Sequence, residues 1–194
     1  MMENLKRFFI NGEWVDPISD QTIPVINPAT EEQIGTVALG NASDVDVAVE
    51  AASAAFDQFS QTTKMDRLDL LKSVMVITER RIEDLAQAMR IEMGAPITMA
   101  RSSQADAAIG HLQGFIDALE EHNERTKLTN GDIMVHEPVG VCGLITPWNW
   151  PINQITLKVL PALATGCTCI LKPSEHTPVS AMIYAEILNE AGYP

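Results

Sequence analysis

Cationic side chains are scarce: 13 Lys and Arg stand against 26 Asp and Glu, a net charge of -13 over 194 residues. Nucleic acids and anionic membranes reward clustered cations, so this balance argues against both as partners. Long apolar runs are missing as well. No stretch approaches the roughly 20 apolar residues of a membrane span. Near the start, Phe8-Phe9-Ile10 follows Lys6 and Arg7, but Asn11, Gly12 and Glu13 break the run before it could serve as the apolar region of a signal peptide. Cysteine is limited to Cys142, Cys167 and Cys169. An odd number in apolar surroundings is the pattern of a reduced, cytoplasmic protein and not of a disulfide framework. Neither the C-x-C pair at 167 and 169 nor His111, His122, His136 and His176 have metal-ligand spacing, so no metal site is expected. The Gly-x-Gly-x-x-Gly fingerprint of dinucleotide binding is absent too.

What remains is an ordinary globular mixture, 46% hydrophobic and 20% charged, able to bury a core. The length allows one domain, or one and part of another. Residues 8 to 37 read as short strands and turns. Phe8-Phe9-Ile10 and Trp14-Val15 flank a turn at Asn11-Gly12; Ile23 to Ile26 and Ile34 to Val37 flank Asn27-Pro28-Ala29-Thr30. Ser43 is placed to cap a helix whose first turn carries Asp44 and Asp46. Val45, Val49, Ala52, Phe56 and Phe59 would form its buried face. A second helix is expected from Asp66 to Met93, with Leu68, Leu71, Met75, Ile82, Leu85 and Met89 inward, ended by Gly94 and Pro96. A third, about 98 to 121, turns Ala105, Ala108, Leu112, Phe115 and Leu119 inward. Such faces of Leu, Met and Phe are core and not chemistry.

The character changes after Asn130-Gly131. Ile133 to His136 reads as a strand after a tight turn, and Val139 to Ile145 as a strand covered on both faces. A helix follows at about 152 to 165, closed by Gly166, with Pro161 expected to kink or break it. Cys167 to Leu171 is the next strand; Pro178 to Glu190, stopped by Gly192, is the next helix. Strand, helix, strand, helix at this spacing is a βαβ crossover with parallel strands, hence an α/β fold.

Ligands of open α/β sheets bind beyond the carboxyl ends of the strands, where two clusters fall. Asn149 follows the first strand on a loop bounded by Pro147 and Pro151 and flanked by Trp148 and Trp150. An amide N–H there can donate to an oxygen that gains charge in acyl chemistry; equally, Asn149 can close a turn while the tryptophans pack. Lys172 and Glu175 follow the second strand. A donor and an acceptor at this spacing can hold the vicinal hydroxyls of a ribose, or form a solvated ion pair at a helix start.

The segment His136 to Pro178 strongly resembles the aldehyde dehydrogenase superfamily, and the likeness extends over essentially the whole chain. Asn27-Pro28-Ala29-Thr30 with Glu31 and Gly35 is similar to an early element of that family. Residues Ala51 to Phe59 and Arg67 match its first helices, and Glu92-Met93-Gly94-Ala95-Pro96 its Glu-x-Gly-x-Pro. The resemblance implies an incomplete Rossmann-type cofactor domain preceded by a helical and short-strand region. Residues 1–121 would be the amino-terminal part of the NAD-binding domain, 122–138 an oligomerisation-arm strand segment, and 139–194 the first βαβα part of the dinucleotide-binding core, with the catalytic domain absent.

It further implies NAD-dependent oxidation of a small aldehyde to a carboxylic acid, through a cysteine thiohemiacetal and thioester. Asn149 would be the oxyanion-hole amide and Lys158 the support of its loop. Ile145, Thr146, Pro147 and Trp148 would line the nicotinamide side of the cofactor; Lys172, Ser174 and Glu175 would hold the adenosine ribose. A glutamate at 175 repels a 2′-phosphate, which favours NAD over NADP. Trp150, Asn153 and Gln154 would face the substrate tunnel. The family's nucleophilic cysteine and Glu-Leu-Gly-Gly glutamate have no counterpart here, and none of the three cysteines occupies the nucleophile's place. The expectation is an amino-terminal fragment, inactive alone, whose full-length form is a homodimer or homotetramer. The competing readings are a coenzyme-A-acylating member of the superfamily and an inactive short paralogue that binds nucleotide or joins other subunits.

Overall fold

A computed structural model describes residues 4–193. Two antiparallel hairpins come first: β1 (Phe8–Ile10) with β2 (Glu13–Val15), and β3 (Thr22–Ile26) with β4 (Gln33–Ala38). The first closes as expected through Asn11 and Gly12, both at positive φ (53° and 77°), the geometry that matches the strand twist in a two-residue loop.

Helix α1 (Ala42–Phe59) corrects two expectations. Its cap is Asn41, not Ser43: the Asn41 side chain accepts from the Ser43 and Asp44 amides, and Asp44 accepts in return from the Asn41 amide. Asp44 is used a second time, since it is buried and also takes the N–H groups of Ile18 and Ser19. The cap therefore ties the preceding loop to the helix start. The apolar face is not sealed, because Val45 and Val49 are exposed and only Phe59 of the expected set is fully buried.

The single long helix expected over 66 to 93 is two helices, α2 (Lys64–Arg80) and α3 (Ile82–Glu92). Arg81 breaks the run at φ -98°, ψ 9°, without glycine or proline to announce it. Its guanidinium instead pairs with Asp84 and with Glu186 on a later helix. Gly94 follows α3 in the left-handed region (φ 74°), and a Cβ there would lie 2.8 Å from Pro28 Cγ. The two motif elements Asn27-Pro28 and Glu92-Met93-Gly94 are thus in close contact, and only glycine fits both the angle and the gap.

A short helix α4 (Ile97–Met99) runs through a π-helical stretch, Ala100–Ala105, into α5 (Asp106–Glu121). Leu112 and Ala108 point inward as expected. The core lies where α2, α3, α5 and two later helices converge on Leu71, Leu85, Met89, Leu112, Ile152, Ile155, Leu160, Ile183 and Ile187. Each such side chain contributes about 1.5–3 kcal/mol by leaving water.

A hairpin of β5 (Arg125–Lys127) and β6 (Ile133–Val135) turns at Asn130-Gly131 and leaves Ile133, Met134 and Val135 exposed. Then come β7 (Val141–Ile145), α6 (Pro151–Ala164), β8 (Thr168–Lys172) and α7 (Pro178–Ala191). β7 and β8 are parallel, the crossover the spacing implied. α6 continues through Pro161 without a break, and one expectation fails here. β7 is only partly covered, with Gly143 and Ile145 exposed, because it pairs with β8 alone among the described residues. Arg67, buried at the start of α2, spans the halves: it donates to Ala164 O at the end of α6 and to Thr62 O, and pairs with Glu124. Among the described residues no helix is long and apolar enough to cross a membrane.

Candidate functional site

The two motifs meet at the carboxyl end of the parallel pair. Ile145 lies in register with Lys172, and the Thr146 amide donates to Lys172 O at 3.3 Å. This bond continues the β7–β8 ladder by one step, so the loops after both strands leave from a common edge. Thr146 is buried, while Ile145, Pro147, Trp148 and Asn149 are exposed. The Asn149 amide accordingly faces solvent, with no hydrogen-bond partner among the described residues.

Trp150 and Pro151 start α6 directly after Asn149; Trp150 is the cap residue, and no side chain caps the first turn. The positive end of the helix dipole therefore sits beside the Asn149 loop. The first turn is fastened to α5 by Asn153 Oδ1, 2.8 Å from His111 Nε2, a partner that sequence reading did not find. Lys158 Nζ donates to Gln154 Oε1 at 3.2 Å, one turn back on the same helix. That contact orders the α6 surface next to the loop, and among the described residues no hydrogen bond joins Lys158 to Asn149.

On the other loop, Lys172 Nζ and Glu175 Oε2 are 3.0 Å apart, both partly exposed. The Glu175 carboxyl is held below its ordinary range by its own amide N–H and by the Lys172 ammonium. Ser174 is buried and its Oγ accepts the His176 amide; Thr177 N–H reaches Ser174 O. The loop is short and internally tied. Lys172, Ser174 and Glu175 line an open, mainly apolar groove of about 430 Å³ beside β8, between α1 and α7.

The cysteines lie at the opposite end of the strands. Cys142 is in register with Cys169, three residues before the Ile145–Lys172 step, about 10 Å at 3.3 Å per residue. Burial pushes the Cys169 thiol up to about 12 and raises that of Cys142. Cys167 is buried; burial raises its thiol, but hydrogen bonds from Thr165 and the Val139 and Gly140 amides bring the net direction down. None is near the Asn149 loop.

A further carboxylate was visible only as part of a motif. Glu92, 3% exposed at the end of α3, accepts the backbone N–H groups of Val179 (2.5 Å) and Ser180 (3.0 Å) in the first turn of α7. Burial pushes its carboxyl up to about 7, against the pull of those donors.

An exposed amide beside a helix start and an ion pair on the neighbouring loop meet at the carboxyl end of a βαβ unit, the end at which open α/β sheets bind ligands. Comparison with known proteins makes the class specific. Residues 14–194 match the model of the aldehyde dehydrogenase family. A 3-succinoylsemialdehyde-pyridine dehydrogenase of a Pseudomonas species is 46% identical over 194 residues, which is 100% of this chain and 40% of that protein. The crystal structure of an aldehyde dehydrogenase from Bartonella henselae superposes with a TM-score of 0.96 at 45% identity, over 100% of this chain and 41% of that one. A variant of aldehyde dehydrogenase C from Pseudomonas syringae, crystallised with NAD+ and octanal, gives 0.96 at 46% identity, over 98% and 39%. The chain belongs to the aldehyde dehydrogenase family, and it spans about 40% of the length of these relatives.

Proposed function

We propose that this chain forms the amino-terminal part of the cofactor domain of an NAD-dependent aldehyde dehydrogenase. The observation that carries the reading is the Thr146–Lys172 bond, which fixes the Asn149 loop and the Lys172–Glu175 pair to one strand edge. The pair suits the vicinal diol of the adenosine ribose: the ammonium donates to one hydroxyl oxygen, and the carboxylate accepts from the other hydroxyl. A 2′-phosphate would meet the Glu175 charge, so NAD is preferred to NADP. The NAD+ present in the Pseudomonas syringae complex supports the same assignment. When bound, NAD supplies the acceptor for hydride. Ile145, Thr146, Pro147 and Trp148 would flank its nicotinamide side.

Asn149 would donate its side-chain N–H to the aldehyde oxygen as a nucleophile adds to the carbonyl carbon and charge builds on that oxygen. The dipole of α6 acts in the same sense. Lys158, through Gln154, would steady the surface against which the loop rests. The thiol that attacks and the base that activates water would come from further chain, which would also continue the sheet at the free edge of β8. Residues 1–121 and 139–194 would then be parts of one cofactor domain. The hairpin within 122–138, with its exposed Ile133, Met134 and Val135, would be an arm joining subunits into a dimer or tetramer.

The test is an assay of NADH formation from a panel of aldehydes. A full-length enzyme containing this chain should form NADH and a carboxylic acid, and the isolated 194 residues should form none. Turnover by the isolated chain, or acyl-coenzyme A as the product of the full-length enzyme, would overturn the reading.

A further inference from the structure

Helix α7 begins without a cap of its own. Thr177, at its N-cap position, makes no side-chain cap bond, and Pro178 at the first helical position has no N–H. The orphan donors of that turn are instead taken by a residue 87 positions earlier, because Glu92 Oε2 accepts from Val179 and Oε1 from Ser180. Glu92 is itself almost wholly buried, at the last residue of α3. It is the only acidic side chain that bonds to the first turn of α7 among the described residues.

The consequence lies in the five residues between β8 and α7. Lys172 is fixed at one end of this loop by strand register and by the Thr146 amide. The other end is the first turn of α7. Glu175 lies between the two, and its distance from Lys172 is set by both. We propose that Glu92 is a positioning residue for the cofactor: by holding the start of α7 from α3, it fixes the separation of Lys172 and Glu175 and thereby the grip on the adenosine ribose. The inference rests on the assignment of that pair to the ribose. Glu92 bonds to the start of α7 and, among the described residues, makes no hydrogen bond to the Asn149 loop, so it acts on cofactor affinity and not on the chemical step.

Glu92→Ala removes both acceptors; Glu92→Gln keeps the shape and one acceptor oxygen while placing an NH2 group against an N–H donor. A full-length enzyme containing this chain is titrated calorimetrically with NAD, AMP and nicotinamide mononucleotide, with Glu175→Ala as a control. Losing a cap of this kind is expected to weaken NAD and AMP binding about tenfold in Glu92→Ala and to a smaller extent in Glu92→Gln. Binding of nicotinamide mononucleotide and kcat at saturating NAD should be unchanged. If Glu92→Ala does not fold, Glu92→Gln decides. Unchanged NAD and AMP affinity in folded Glu92→Gln, alongside a weakened Glu175→Ala, overturns the role of Glu92 alone. Unchanged affinity in Glu175→Ala overturns the ribose assignment and the role of Glu92 with it. Equal losses for AMP and nicotinamide mononucleotide would mark Glu92 as a general structural residue and also contradict the proposal.

Discussion

Thr146 and Lys172 are joined by a backbone hydrogen bond of 3.3 Å across 26 residues of sequence. It is the step by which the β7–β8 ladder passes into the two loops that carry the candidate chemistry. The amide side chain of one loop and the ion pair of the other are therefore not independent features. A shift of one strand end moves both.

The Asn149 amide is predicted to act on the chemical step alone. In a full-length enzyme containing this chain, Asn149→Ala should lower kcat by roughly 10²–10³, the usual cost of losing one oxyanion donor. The dissociation constant of NAD should be nearly unchanged. Steady-state kinetics with a parallel NAD titration checks this; an unaltered kcat would remove Asn149 from the mechanism.

Cofactor choice should follow the charge at position 175. Glu175→Gln keeps an acceptor for the ribose hydroxyl and removes the repulsion of a 2′-phosphate. The ratio of kcat/KM for NADP to that for NAD should rise by about tenfold, the equivalent of one modest charge contact. A ratio that stays constant would show that another residue excludes NADP.

Glu92 should leave a trace in the pH dependence of stability. Its carboxyl is raised by burial from 4.5 to about 7, so between these values the folded chain holds a proton that the unfolded chain has released. Stability from this group is therefore greatest below pH 4.5, falls as pH rises to about 7, and is flat above that. Relative to Glu92→Gln, the wild-type protein should lose on the order of 3 kcal/mol across this window. Denaturant unfolding of both proteins at pH 5 and pH 8 measures it, and parallel profiles would contradict it.

Arg67 should matter more than its surface-type residue class suggests. Its side chain is 4% exposed and serves Ala164 O, Thr62 O and the Glu124 carboxylate. Arg67→Met strands buried carbonyl oxygens and should destabilise the fold by about 3 kcal/mol. Urea unfolding gives the number; a loss below 1 kcal/mol would mean that water replaces the guanidinium.

Much of the architecture was legible because it depends on local rules. Asn11-Gly12 sets its hairpin by positive φ, Gly192 stops α7 in the left-handed region at φ 90°, and the apolar runs around Leu144 and Ile170 with a helix between them imply parallel pairing. The misreadings have tertiary causes. Ser43 and Asn41 are both capable caps, and the buried Asp44 that binds Ile18 and Ser19 decides for Asn41. Arg81 interrupts a strongly helical stretch while pairing with Glu186, over a hundred residues away. The face of α1 was read as sealed from its spacing alone, whereas Val45 borders the open groove beside β8. Of the candidate site, Asn149, Lys172 and Glu175 were recognisable from their motifs. Glu92 belongs to the Glu-x-Gly-x-Pro motif, but its partners are backbone amides without a side-chain signature, so its tie to α7 is visible only in the structure.

The central claim is that Lys172 and Glu175 together hold the ribose of NAD. Calorimetric titration of NAD into a full-length enzyme containing this chain, wild type against the Lys172→Ala, Glu175→Ala double variant, tests it most directly. The account predicts a dissociation constant at least about tenfold weaker in the double variant, since two charge-assisted hydrogen bonds are lost. The same dissociation constant in both proteins, with the fold intact, would contradict it.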